Sequence, residues 1–121
     1  MNKVDGKVAV VSGGARGIGG ATATLLAEAG ATVVITDRLE DDGQALAEEI
    51  NGSGGTAVFL PHDVTLERDW ARVMAETVQR FGGLDIMVNN AGVWSRGVIE
   101  ETSVEDFDRL CAVNLKGVFL G

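Results

Sequence analysis

The chain has 121 residues, 45% hydrophobic and 23% charged, a balance that fits one globular domain and not two. Its formal net charge of -8 argues against a nucleic-acid surface and against anionic membranes, since both need clustered Lys and Arg. One cysteine, Cys111, excludes an internal disulfide, and no apolar run resembles a signal peptide or reaches the roughly 18 residues of a membrane helix, so the expected setting is the soluble cytoplasm.

Lys7 to Ser12, KVAVVS, is short, apolar and β-branched, and predicts a buried strand. Ile18, Thr22, Leu25, Leu26 and Ala29 then recur at helical spacing, with Gly30 as the stop. Thr32 to Asp37 predicts a second strand. A polar-faced helix follows over Asp41 to Ile50, with Gly43, Leu46, Ala47 and Ile50 on one side, and then a turn-rich loop from Asn51 to Gly55. Ala57 to Pro61 predicts a third strand. Thr65 is placed to cap the next helix, whose stripe of Trp70, Val73, Met74, Thr77, Val78 and Phe81 ends at Gly82. Leu84 to Asn90 predicts a fourth strand. Ser103 and Asp106 resemble a capping box for a last helix carrying Phe107, Leu110, Cys111, Asn114 and Val118 on one face.

Strands alternating with helices imply an α/β fold with a parallel sheet covered on both faces. Right-handed crossovers give a Rossmann-type, doubly wound order 3-2-1-4, with a switch point between strands one and four at their carboxyl ends. The stretch SGGARGIGG, residues 12 to 20, sits at that point with five glycines in nine positions. A glycine loop that follows a strand and opens a helix is a phosphate site on physical grounds, because free N–H groups and the positive dipole end face the ligand. The spacing of Gly13, Gly17 and Gly19 is neither the G-x-G-x-x-G fingerprint nor a P-loop. Asp37 ends the second strand 18 positions after Gly19, where a carboxylate accepts from ribose hydroxyls and repels a 2′-phosphate. Arg16 and Arg38 point the other way, since a guanidinium pairs with a 2′-phosphate. Asp37 weighs more, so NAD is expected over NADP.

Four stretches together resemble the short-chain dehydrogenase/reductase family: SGGARGIG from Ser12, HDV from His62, NNAG from Asn89 and VNLKGVFLG from Val113. Ser12 stands where the family usually has threonine and keeps the hydroxyl. The resemblance implies that Ser12, Gly13, Arg16, Gly17, Ile18 and Gly19 surround the pyrophosphate and adjacent ribose. It implies that Asp37 holds the adenosine ribose, and that Asp63 and Val64 meet the adenine. Asn90, Ala91 and Gly92 then border the cofactor. Helix capping is the competing role for Asp63, as turn chemistry is for Asn89 and Asn90.

Asn114 lies on an apolar face, and a buried amide needs a partner. The plain expectation is a bond to neighbouring backbone. The resemblance instead makes Asn114 one of four catalytic residues, with a serine and a Tyr-x-x-x-Lys pair expected further along. This chain has no tyrosine, and one histidine leaves no multi-histidine metal site or spare triad histidine, so no metal is expected. Family members run to about twice this length, and the apolar ending VFLG reads as an interruption within a cofactor-binding N-terminal part spanning 1–121. Trp94 falls where the family lines its substrate cleft, a reading that packing equally serves.

The implied function is NAD-dependent interconversion of a secondary alcohol and a ketone, in the alcohol and hydroxysteroid dehydrogenase branch, by a homotetramer. Alternatives are a 3-oxoacyl-carrier-protein reductase-like enzyme that favours NADP, a non-catalytic dinucleotide-binding fragment, and a methyltransferase-like domain, which NNAG and the wide glycine spacing oppose.

Overall fold

The computed structural model describes residues 3–121 and shows a four-stranded parallel sheet in the order β3-β2-β1-β4. The strands are β1 (Val8–Ser12), β2 (Thr32–Asp37), β3 (Thr56–Pro61) and β4 (Ile86–Val88). Between them run α1 (Gly17–Glu28), α2 (Glu40–Gly52) and α3 (Glu67–Phe81), and after β4 come α4 (Val104–Cys111) and α5 (Gly117–Leu120). This is the expected doubly wound topology.

Side chains alternate across the sheet, as a two-residue period requires. Val11, Val33, Ile35 and Ala57 face α1 and α2, where they meet Ala23, Ala27, Ala47 and Ile50. Val10, Val34 and Leu60 face α3 and Val73, with Met74, Phe81 and Met87 packed around them. Two buried layers on one sheet explain why these strands read as continuous apolar runs.

The helix faces depart from the hydropathy pattern. In α1 the buried residues are Gly19, Gly20, Ala23 and Ala27, while Ile18 is 82% and Leu25 63% exposed. Small side chains let this helix lie directly on the loop and sheet, and that close approach, not apolar area, selects its inner face. In α2 the same logic operates at Gly43, where an added Cβ would overlap the Phe59 ring. The turn expected at Asn51 is still helical, and the Asn51 amide clamps both the N–H and the carbonyl of Ala57 at 2.8 and 2.9 Å. In α3 Trp70, Val73 and Thr77 are buried but Val78 is outward, and Gly82 terminates the helix with a left-handed φ of 84°.

β4 is shorter than the expected Leu84 to Asn90. The Asp85 carboxylate takes the Val8 N–H at 2.9 Å, replacing a ladder bond, and the Asn90 N–H turns back to the Val88 carbonyl. The Ser103 hydroxyl does cap α4, accepting the Asp106 N–H at 3.1 Å. The apolar face expected there is not covered: Phe107 is 60% exposed, and no residue of α4 is buried. The following helical run instead meets the body of the protein through glycine, with Gly117 against Val64 and Gly121 against Trp70 and Asn89.

Candidate functional site

The apolar alternation on the α3 side turns polar at the carboxyl end of the sheet. Ser12, Thr36 and His62 follow Val10, Val34 and Leu60 two residues on, and all three are buried. Beyond them opens a cleft of about 810 Å³, between the ends of β1 to β3 on one side and the segment after β4 on the other. Its position is the expected switch point.

The glycine loop forms one wall. Gly13, Arg16, Gly17 and Ile18 line the cleft, and Gly13 and Gly17 both take left-handed φ, at 63° and 60°. An added Cβ at Gly13 would come within 2.8 Å of the Ala91 Cα, so the loop and the NNAG segment touch backbone to backbone. Gly19 does not line the cleft; it packs beneath, against the Gly13 carbonyl and the Asn90 amide. The N-cap of α1 is Arg16, extended, with no side chain capping the helix and no acidic residue in the first turn. Those first N–H groups and the positive dipole end are left to an anion.

Ser12, expected around the pyrophosphate, lies under the cleft instead. Its hydroxyl accepts the N–H groups of Asn90 and Ala91, both at 3.2 Å, and donates to the Val88 carbonyl at 3.3 Å. Asn90 Nδ2 donates to the Gly13 carbonyl at 3.0 Å, so two strand ends are cross-linked at the floor. Ala91 and Gly92 line the cleft.

Asp37 and Arg38 stand at the end of β2. One Asp37 oxygen accepts the Ala15 N–H and the other the Leu39 N–H, each at 3.1 Å. The carboxylate is therefore fixed across the glycine loop, with a further acceptor site on each oxygen. Arg38 is exposed beside it and lies near Asp63. Asp63 lines the cleft while also shaping the turn before α3: its Oδ1 accepts from the Thr65 N–H and hydroxyl at 3.0 and 2.7 Å. Thr65 is thus held by Asp63 and does not cap α3, whose N-cap is Leu66. Burial opposes ionisation of Asp63, but the two Thr65 donors, Arg38 and His62 hold its carboxyl below the usual carboxylate range.

His62 opens the HDV stretch and also lines the cleft, a role that the motif did not assign to it. Its Nδ1 pairs with the Thr36 hydroxyl at 2.8 Å, and its ring meets Trp70 edge-on at 4.3 Å, while Nε2 is buried without a partner. Burial lowers its pKa from 6.5 to about 4; Asp69 and Asp63 pull it up and Arg72 presses it down. The folded state therefore holds a neutral ring where the unfolded chain would protonate. Stability is fully present above pH 6.5 and falls as pH drops toward 4. We expect a loss of about 1–2 kcal/mol between pH 7 and 5, absent in His62→Gln, read from urea unfolding at each pH. Equal slopes for the two proteins would show that His62 is already solvated.

Asn114 is exposed, correcting the expectation of a buried amide, and it does not line the cleft. Its amide is nonetheless satisfied: Oδ1 accepts the Val93 N–H at 2.8 Å, and Nδ2 donates to the Val93 carbonyl at 2.7 Å. It sits within a π-helical segment, Ala112–Lys116, inserted between α4 and α5. Such wide turns occur frequently at functional sites. Val93, Trp94 and Val113 complete the wall of the cleft. Among the described residues no group of three or more His, Cys, Asp or Glu gathers to hold a metal.

The model of the short chain dehydrogenase family matches residues 7–121. The chain belongs to that family. The trans-4-hydroxycyclohexanecarboxylate dehydrogenase of Sinomonas cyclohexanicum is 45% identical over 126 residues, covering 99% of this chain and 49% of the relative. The 3-beta-hydroxysteroid dehydrogenase of Comamonas testosteroni is 44% identical over 120 residues, covering 99% and 46%. A mutant of a Serratia marcescens short-chain dehydrogenase/reductase superposes with a TM-score of 0.91 at 40% identity, covering 97% and 48%. The chain spans about half the length of the curated relatives it matches. Short-chain dehydrogenases bind nicotinamide dinucleotides; three of the stretches that carry the likeness form this cleft and its floor, and the fourth reaches it through Val113. Among the described residues no helix is long and apolar enough to cross a membrane.

Proposed function

We propose that this chain is the cofactor-binding part of an NAD-dependent short-chain dehydrogenase that interconverts a secondary alcohol and a ketone. The observation that carries the cofactor choice is Asp37, fixed by Ala15 and Leu39 with one acceptor site free on each oxygen. That arrangement suits two vicinal ribose hydroxyls and repels a phosphate in their place. The uncapped start of α1 and the glycine backbone at Gly13 and Gly17 suit a pyrophosphate, which a Cβ at Gly13 would displace by pushing Ala91. Asp63 and Val64 would take the adenine edge and face, and Asn90, Ala91 and Gly92 the nicotinamide half.

A bound NAD supplies the hydride acceptor. Asn114 would act on the reaction from the π-helical segment, and its side chain fixes Val93 beside the reacting end of the cleft. The serine, tyrosine and lysine of the proton transfer are assigned to sequence outside these 121 residues, since the chain contains no tyrosine. The complete enzyme would be a cytoplasmic homotetramer. Two relatives act, by name, on a hydroxycyclohexanecarboxylate and a 3-beta-hydroxysteroid, and an alcohol on an apolar ring is the substrate class we carry over. Arg16 and Arg38 at the cleft favour one second reading, an NADP-using 3-oxoacyl-carrier-protein reductase-like enzyme.

Calorimetric titration with NAD, NADP and S-adenosylmethionine separates these readings. NAD is expected to bind at least about tenfold more tightly than NADP, equivalent to one charge-assisted hydrogen bond. Tighter NADP binding would transfer the decision to the arginines. Preference for S-adenosylmethionine would overturn the dehydrogenase reading altogether.

A further inference from the structure

Asp63 stands beyond the end of the sheet. β2 ends at Asp37, and β3, an edge strand, ends at Pro61. The last rung between them is the His62 N–H on the Asp37 carbonyl, at 2.9 Å. Past that rung no strand holds the chain, so its backbone groups need other partners. The start of α3 supplies them. The Arg72 guanidinium donates to the Pro61 carbonyl. Asp69 Oδ2 accepts the Asp63 N–H at 2.8 Å, and the Trp70 indole N–H donates to the Val64 carbonyl at 2.9 Å. Asp69 and Arg72 also pair with each other at 3.7 Å, and the buried Trp70 meets the His62 ring edge-on. One short stretch of helix therefore grips the backbone on both sides of Asp63. Thr65 holds Oδ1 of the Asp63 carboxylate with two donors, which leaves Oδ2 without a partner among the described residues.

We propose that Asp69 is a positioning residue that sets the selectivity of the cleft for adenine, acting through Asp63. The inference rests on the dinucleotide reading, in which Asp63 accepts from the adenine amino group. Asp69 does not line the cleft, so it acts only through the residue it holds. An acceptor separates an amino group from an oxo group only when it is held where that group arrives; a carboxylate free to turn away takes water instead. Thr65 fixes the direction of the carboxylate, and Asp69 fixes the backbone that carries it. The Asp69 bond is charge-assisted, and so a stronger partner for the Asp63 N–H than water.

Wild type, Asp69→Ala and Asp69→Asn are titrated calorimetrically with NAD and with nicotinamide hypoxanthine dinucleotide, which carries a 6-oxo acceptor in place of the 6-amino donor. Melting temperatures confirm that the variants are folded. Wild type is expected to bind NAD at least about tenfold more tightly than the analogue, equivalent to one hydrogen bond to a charged acceptor. Asp69→Ala is expected to cut that preference to about twofold or less. Asp69→Asn keeps an acceptor for the Asp63 N–H and is expected to retain most of it. A merely structural role for Asp69 would weaken both dinucleotides alike and leave their ratio intact in Asp69→Ala, and that result overturns the proposal. Loss of the preference in Asp69→Asn overturns it too, and does so even where the alanine variant fails to fold. Equal binding of the two dinucleotides by wild type has the same effect. Binding of neither by wild type instead brings down the cofactor reading and this inference together.

Discussion

Gly19→Ala is expected to lower dinucleotide affinity at least about 100-fold and to destabilise the fold by about 2–3 kcal/mol. The added methyl group would occupy the space of the Gly13 carbonyl oxygen and the Asn90 Nδ2. Both belong to one hydrogen bond, 3.0 Å long, that ties the glycine loop to the end of β4. Neither neighbour is a flexible side-chain tip: one is backbone and the other an anchored amide. The strain therefore moves the loop itself, and with it the N–H groups at the start of α1. Gly17→Ala provides the contrast. Its φ of 60° disfavours a side chain, but no atom lies within 4 Å of the new methyl, so a stability loss of about 1 kcal/mol is expected. Urea unfolding and NAD calorimetry on both variants check the pair. Similar losses for the two would mean that close approach at Gly19 is unimportant.

Asp37→Ser is expected to weaken NAD binding about 100-fold and to bring NADP level with it or ahead. The carboxylate offers charge-assisted acceptors worth about 1.5–3 kcal/mol each, and it supplies the repulsion that excludes a 2′-phosphate. Removing it leaves Arg38 exposed at the same strand end with its preference unopposed. Part of the loss would be indirect, because the Ala15 N–H also depends on this carboxylate. Comparing NAD with NADP on one variant cancels that part. NADP binding that stays far weaker than NAD in Asp37→Ser would show that the carboxylate is not the discriminating group.

The sheet was legible in the sequence because its central strands, β1 and β2, are buried on both sides and read as apolar runs. The cleft was legible through the glycine loop, Asp37 and NNAG. Burial inside the site was harder to read. In α1 the hydropathy stripe ran through Ile18 and Leu25, yet the buried face carries Gly19, Gly20, Ala23 and Ala27, because distance of approach governs there and hydropathy does not record it. His62 stood in the sequence only as the first residue of the HDV stretch. Only the two-residue alternation from Val58 through Leu60 would have placed it on the α3 side beside Thr36. The outward face of α4 could not be anticipated from periodicity, which shows that a helix has an apolar side but not whether anything rests on it. Asn114 was located through its motif, while its partner Val93 lies 21 residues away and carries no signature of its own.

The Ser12 hydroxyl joins chain positions 76, 78 and 79 residues apart, and the adjoining bond from Asn90 to the Gly13 carbonyl spans 77. β1 can pair with β2 early, but the floor of the cleft closes only when β4 arrives from far along the chain. Loops of that length form slowly and open readily. The floor of the cleft thus rests on contacts distant in sequence, and it is expected to close later than the pairing of β1 with β2. Any molecule that fills the cleft stabilises that closure by mass action.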